Sequence, residues 1–111
     1  MDWIDLTTTA QLALIKDQSK IKPQVIFKHS TRCSVSGMAK NRLERGSSPV
    51  NVDFYFLDLV KNRDISNKVA EEFSVYHESP QVLIIKDGKC IYDESHSGIN
   101  MNDIEEQAAA F

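Results

Sequence analysis

The chain has 111 residues, of which 41% are apolar and 26% charged, a composition typical of one ordinary globular domain. Thirteen basic and sixteen acidic side chains give a net charge of −3, which argues against a broad phosphate-binding face and a nucleic-acid partner. The longest uninterrupted apolar runs, among them residues 54–57 and 82–85, are far shorter than the ~20 residues of a membrane helix, so no membrane partner is expected.

Two cysteines do not make a secreted disulfide framework, and the acidic residues 1–5 lack the basic start of a secretory signal. We therefore expect a cytoplasmic protein with reduced thiols.

The first half of the chain predicts two strand–helix units. Residues 3–6 fit a short edge strand, and Thr8 with Gln11 resembles a capping box that opens a helix. Residues 24–28 form an apolar run that suits a buried strand. Apolar residues at helical spacing follow up to Leu43, and residues 46–49 end this second helix.

The second half predicts a strong strand within residues 50–60 and a third helix capped by Asp64. A strand at 82–85 and an Asp87-Gly88 turn then form a hairpin with 90–92. A last helix after Gly98 carries apolar residues as far as Phe111. The order β-α-β-α-β-α-β-β-α predicts a single α/β domain over residues 1–111, with a mixed four- to five-stranded sheet and helices on both faces, which is the thioredoxin arrangement.

Cys33 is the leading candidate for a reactive residue, because it follows a predicted buried strand and begins the next helix. Sites in α/β sheets form outside the carboxyl ends of strands, where helix N-termini place positive charge beside an anion. This position, the charge of Arg32 and the hydroxyls of Ser34 and Ser36 favour the thiolate, which is the nucleophile in disulfide exchange. The alternative, a small buried structural cysteine, is disfavoured by these polar neighbours.

Pro80 provides a second signal, since it directly precedes a predicted strand, where this architecture places a cis-proline. A cis bond would leave the backbone of Ser79 facing the Cys33 sulfur, where it could pair with an extended substrate. An ordinary trans proline opening a strand is the alternative.

These features resemble the monothiol bacilliredoxins (YtxJ-type proteins of the bacillithiol system) within the thioredoxin and glutaredoxin superfamily. The resemblance rests on residues 27–36 and 77–81 and covers nearly the whole chain. Cys33, Val35 and Ser36 take the cysteine, isoleucine and serine positions of the family motif threonine-cysteine-proline-isoleucine-serine.

The chain departs from that motif by Arg32, inserted between Thr31 and Cys33, and by Ser34 in place of proline. The resemblance implies a thiol–disulfide oxidoreductase that removes bacillithiol from protein mixed disulfides and carries it on Cys33. It implies bacillithiol as a co-substrate with no tightly bound cofactor, and S-bacillithiolated proteins as partners. The substrate-binding residues expected beside Cys33 are Thr31, His77, Ser79, Pro80 and Gly98.

Ser36 occupies the second position of a cysteine-x-x-cysteine spacing and cannot attack a sulfur, so release of Cys33 needs a low-molecular-weight thiol or a partner reductase. Cys90, in the last predicted strand, is the only internal candidate for resolution, and we expect it to be structural. His29, His77 and His96 share no metal-ligand spacing, and we expect solvated loop histidines and no metal site. His77 alone is placed to bind a negatively charged thiol or to tune Cys33.

Two other function classes remain open at this point. An iron–sulfur carrier of the monothiol glutaredoxin kind would share a cluster between Cys33 and an external thiol, although Ser34 and Val35 replace the glycine and phenylalanine typical of those proteins. A non-catalytic thioredoxin-like binding module is the other.

Overall fold

The computed structural model describes residues 1–109, in which five strands and four helices follow the predicted order. The strands are β1 (Trp3–Asp5), β2 (Gln24–His29), β3 (Asp53–Asp58), β4 (Gln81–Lys86) and β5 (Lys89–Ser95). The helices are α1 (Ala10–Gln18), α2 (Ser34–Arg45), α3 (Arg63–Glu72) and α4 (Met101–Ala109), and a 3₁₀ turn spans His96–Gly98. The α/β class and the element order are confirmed. No helix within residues 1–109 is long and apolar enough to cross a membrane.

The five strands form one mixed sheet in the order β1-β3-β2-β4-β5. β1 and β2 both run parallel to β3, whereas β4 runs antiparallel to β2 and to β5. Lys28 near the end of β2 pairs with Gln81 at the start of β4, and His29 pairs with Asp58 at the end of β3. The carboxyl ends of β2 and β3 and the start of β4 therefore lie together, and we call this the carboxyl edge of the sheet.

Side chains alternate along the central strand and supply both halves of the core, because successive strand residues point to opposite faces. Val25 and Phe27 belong to the cluster under α2 and α4, and Ile26 belongs to the cluster under α1 and α3. Trp3 of the edge strand stacks on Phe27 with ring centroids 5.6 Å apart and so covers the end of the first cluster. A central strand apolar on both faces matches the continuous apolar run seen in the sequence.

Two predicted helix starts are wrong by one or two residues. The N-cap of α1 is Thr9, not Thr8, although Gln11 Oε1 does accept the Thr8 N–H at 3.0 Å, so only half of the capping box forms. The N-cap of α3 is Asn62, while Asp64 lies inside the first turn. A carboxylate there still stabilises the helix through its charge near the positive end of the helix dipole.

The third strand is shorter than the predicted span 50–60: it begins at Asp53, and its carboxyl end is fixed by the side chain of Asp58. Asp58 Oδ1 accepts the N–H groups of Val60 at 3.1 Å and Lys61 at 3.3 Å, which turns the chain away from the sheet. The Asp87-Gly88 hairpin forms as predicted, with positive φ angles of 51° and 75°. The predicted contribution of Phe111 to the last helix lies outside the described residues.

Candidate active site

Cys33 is the N-cap residue of α2, and its thiol is partly exposed at the carboxyl edge. Its backbone is extended, with φ −117° and ψ 118°. The Cys33 N–H donates to the Ser30 carbonyl at 3.2 Å, and its carbonyl accepts the Gly37 N–H at 3.2 Å. An anion on this sulfur would face the partial positive charge at the N-terminus of a twelve-residue helix.

The loop before β4 reaches the same edge of the sheet. The Ser79–Pro80 peptide bond is cis, the geometry that the sequence favoured. Gln81, the next residue, pairs with Lys28, so Pro80 lies level with the end of β2. The Ser79 hydroxyl oxygen is buried and has no hydrogen-bond partner within residues 1–109.

The residues beside Cys33 fall into exposed and buried groups. Thr31, Arg32 and Ser34 are exposed on either side of the cysteine. Ser36 is fully buried, and its Oγ accepts the Ser30 N–H at 3.0 Å and lies 2.7 Å from His29 Nδ1. The sequence suggests that Ser36 donates to the sulfur, whereas the structure gives its hydroxyl these two other partners.

His29 differs from the solvated loop histidine that we expected. Its side chain ends β2 and is buried, with 7% exposure, against aromatic rings. Its ring centroid lies 5.3 Å from that of Phe56 and 5.9 Å from that of Phe27. This burial lowers the pKa of His29, and the charge of Lys40 acts in the same direction, so the neutral imidazole is favoured.

A second buried group lies on the opposite face of β2 and was not singled out from the sequence. Lys28 is fully buried, and its Nζ donates to the Ser66 carbonyl at 3.1 Å. His77 Nδ1 lies 3.3 Å from this Nζ and 3.3 Å from Ser66 Oγ. Burial lowers the pKa of Lys28 to about 8. His77 as a whole residue is exposed, and its pKa is lowered by desolvation and by the charges of Lys28 and Arg63.

Gly98 lies in the 3₁₀ turn, which the backbone connects to the cis-proline loop. The His96 N–H donates to the Pro80 carbonyl at 3.1 Å, so the turn and the loop are neighbours. A Cβ on Gly98 would lie 2.7 Å from Glu94 Cδ, so the absence of a side chain allows this approach. The Gly98 turn therefore lies next to the cis-proline loop.

Cys90 is far from Cys33 along the sheet. It pairs with Ile85 near the β4–β5 hairpin, whereas Gln81 and Ser95 pair at the carboxyl edge. Ile85, the partner of Cys90, lies four residues along β4 from Gln81 at the carboxyl edge, which is roughly 13 Å at the rise per residue of a strand. Cys90 Sγ lies 3.3 Å from the Tyr92 carbonyl, and burial raises the pKa of this thiol to about 11.

The three histidines do not converge on one point. His29 packs under α2, His77 contacts Lys28 on the α3 side, and His96 lies beside Glu78 with 3.6 Å between Nε2 and Oε2. Within residues 1–109, no three His, Cys, Asp or Glu side chains are grouped so that they could hold a metal ion.

Comparison with known proteins gives a family match and several structural neighbours. Residues 4–104 match the family model described as monothiol bacilliredoxin BrxC. A solved structure described as a proposed oxidoreductase with a thioredoxin fold is 27% identical, with a TM-score of 0.78 over 94% of this chain and 91% of that one.

Two thioredoxins share the fold at lower identity. The protein from Malassezia sympodialis is 17% identical with a TM-score of 0.76, over 98% of this chain and 92% of that one. The one from Fasciola hepatica is 23% identical with a TM-score of 0.69, over 94% of each chain. The thioredoxin-like fold is confirmed, and the family and fold together support thiol–disulfide oxidoreductase activity.

Proposed function

Because the chain belongs to the monothiol bacilliredoxin family, we propose that it removes bacillithiol, or a similar small thiol, from protein mixed disulfides through Cys33. The observation that carries this proposal is the placement of a partly exposed thiol at the N-cap of α2, on the edge shared with the cis-proline loop. A serine in place of a second active-site cysteine supports the single-thiol mechanism.

The first step exchanges one disulfide for another. The Cys33 thiolate attacks the bacillithiol sulfur of the mixed disulfide, forms a disulfide with it and displaces the protein thiolate, which takes up a proton. One sulfur–sulfur bond breaks and one forms, so the step needs no external oxidant or reductant. The substrate protein leaves with its cysteine reduced.

The second step needs a sulfur from outside the chain. Cys90 lies roughly 13 Å away from the carboxyl edge along the strands, whereas a disulfide requires Cα atoms less than about 7 Å apart. Its raised pKa also leaves very little thiolate at neutral pH. A free small thiol or a partner reductase therefore attacks the Cys33 adduct and releases the bound thiol.

Exposed residues around Cys33 are the candidates for holding the substrate. Arg32 adds a positive charge next to the sulfur, which would attract the carboxylates of an anionic thiol. The backbone of Ser79, in the neighbouring cis-proline loop, is the candidate to pair with an extended substrate. We propose Thr31, Ser34, His77 and Gly98 as further contacts, because each lies in a segment that meets this edge of the sheet.

The test follows the transferred thiol by intact mass. Reduced protein is incubated with test proteins that carry bacillithiol, glutathione or coenzyme A, and we expect the bacillithiol adduct to move to Cys33 fastest. The Cys33→Ala variant should receive no adduct, and the matched Cys90→Ala variant should react like the unaltered protein. Absence of any adduct on Cys33 would contradict the activity, and faster transfer of glutathione or coenzyme A would contradict the choice of thiol.

A further inference from the structure

We infer that Ser36 and His29 act as a positioning pair that holds the Cys33 loop in the geometry needed for exchange, an inference that rests on the proposed function. Ser36 is fully buried and has two hydrogen-bonding partners other than the sulfur. Its effect on the reaction would therefore pass through the loop.

The pair connects the end of β2, the loop and the first turn of α2. The Ser30 N–H, at the start of the loop, donates to Ser36 Oγ, which lies inside the helix. The Ser30 carbonyl in turn accepts the N–H of Cys33. Both polar backbone groups of Ser30 are therefore hydrogen-bonded: its N–H to Ser36 Oγ, and its carbonyl to the N–H of Cys33.

The inference includes an assignment of the hydrogen atoms in this network, with Ser36 as the donor to His29. Ser36 Oγ already accepts the Ser30 N–H, and its single hydrogen can be donated to His29 Nδ1 across 2.7 Å. This requires a neutral imidazole with its proton on Nε2. Burial between Phe27 and Phe56 lowers the pKa of His29 and so favours that neutral form. Lys40 adds to this preference, while Asp58, a hydrogen bond with the Ser36 backbone and Glu44 oppose it.

Such a network matters because disulfide exchange needs three sulfur atoms close to a line. A displacement of about 1 Å at a reacting group can lower a rate about 100-fold, even when the change lies outside the reacting atoms. Removal of the Ser36 hydroxyl would leave the Ser30 N–H and His29 Nδ1 without this partner, and the start of the Cys33 loop would lose its side-chain hydrogen bond to the helix.

Ser19 provides a matched control for the loss of a buried serine hydroxyl. It is 1% exposed, donates to the Lys16 carbonyl at 2.6 Å and accepts the Gly88 N–H at 2.8 Å. These contacts lie by the β4–β5 hairpin, at the end of the sheet opposite Cys33. Ser19→Ala therefore removes a similar pair of hydrogen bonds without touching the Cys33 loop.

The test compares Ser36→Ala with Ser19→Ala in three measurements: transfer of bacillithiol from a test protein, alkylation of Cys33 by iodoacetamide at pH 7, and thermal unfolding. We expect both variants to lose similar stability, and only Ser36→Ala to lose about tenfold or more in transfer rate. Transfer by Ser36→Ala within twofold of the unaltered protein, or an equal loss in Ser19→Ala, would overturn the inference. If the unaltered protein transfers no thiol although alkylation shows that Cys33 is accessible, the proposed function fails instead, and the NMR measurement described below then decides on the Ser36–His29 pair alone.

A second comparison tests the histidine. His29→Asn keeps an acceptor atom near the place of Nδ1, whereas His29→Leu removes it, and both lose the ring. We expect His29→Asn to retain a clearly larger share of the transfer rate, and equal losses would overturn the pairing. Nitrogen-15 NMR of the unaltered protein should show His29 protonated on Nε2 with Nδ1 as acceptor, and the Nδ1 signal should shift in Ser36→Ala; an unchanged signal would also overturn it.

Discussion

Replacing Lys28 with methionine tests whether a buried amine sets the pH dependence of stability. Methionine is unbranched like lysine, one atom shorter and uncharged, and the site is fully closed to solvent. The pKa of Lys28 is lowered from the ordinary 10.5 to about 8 by burial. Since one pKa unit corresponds to about 1.4 kcal/mol, the charged amine costs the folded protein about 3 kcal/mol at neutral pH.

The direction of the effect follows from proton binding. Between pH 8 and 10.5 the unfolded chain keeps the lysine proton and the folded protein has lost it, so the free energy of unfolding rises with pH. Below pH 8 the full cost is present, and above 10.5 it disappears. We expect the stability of the unaltered protein relative to Lys28→Met to increase by about 3 kcal/mol between pH 7 and 10.5.

At pH 7 the substitution has two opposing effects. It removes the desolvation cost, but it also loses the hydrogen bond to the Ser66 carbonyl and the contact with His77 Nδ1. A hydrogen bond to a charged group contributes about 1.5–3 kcal/mol, so the two effects nearly cancel. Lys28→Met should therefore be close to neutral in stability at pH 7 and clearly destabilising at pH 10.5.

The assay is urea unfolding of both proteins at several pH values from 7 to 10.5, followed by circular dichroism. All the other ionisable groups are common to both proteins, so the difference between the two curves isolates Lys28. Lys61→Met, at an exposed lysine, controls for the loss of one positive charge. A difference between the unaltered protein and Lys28→Met that stays constant within about 1 kcal/mol across this range would refute the reasoning.

Three further predictions concern single positions. Lys28→Met should raise the pKa of His77, measured by proton NMR, because it removes a positive charge that now lowers this pKa; an unchanged value would contradict the contact. Iodoacetamide at pH 7 should label Cys33 and leave Cys90 unmodified in the native protein, because burial raises the Cys90 pKa to about 11; equal labelling by peptide mass would count against this. Gly88→Ala should lower the free energy of unfolding by about 1 kcal/mol, because the φ of Gly88 is +75°. Gly37→Ala should raise it by about 0.5–1 kcal/mol, because Gly37 lies in a helix with open space around it. Equal unfolding midpoints for the two variants would refute this difference.

The fold was predictable because its signals are local. The apolar run that forms β2, the helical spacing after Cys33 and the Asp-Gly turn each appear within a few neighbouring residues, and together they determine the order of the elements. The position of Cys33 between a buried strand and a helix was predictable for the same reason, whereas its reactivity stays a prediction.

The surroundings of Lys28 and His29 were not predictable in this way. A lysine and a histidine after an apolar run resemble the polar end of a strand, and nothing nearby indicates that they are buried. Lys28 is enclosed by Ser66 and His77, which are 38 and 49 residues further along the chain. The sequence pattern reports which residues are apolar, whereas the burial of a polar residue depends on distant segments that fold over it.

The distance between the two cysteines makes the protein dependent on its surroundings. On the proposed mechanism, the other thiol, Cys90, is out of reach of Cys33, so each captured thiol would occupy the protein until another molecule arrives to remove it. The turnover rate would then rise in proportion to the concentration of that external molecule, up to saturation. When the reductant runs short, the protein would stop after one capture and persist as a stoichiometric adduct, so the occupied fraction would measure the reducing capacity of the cell.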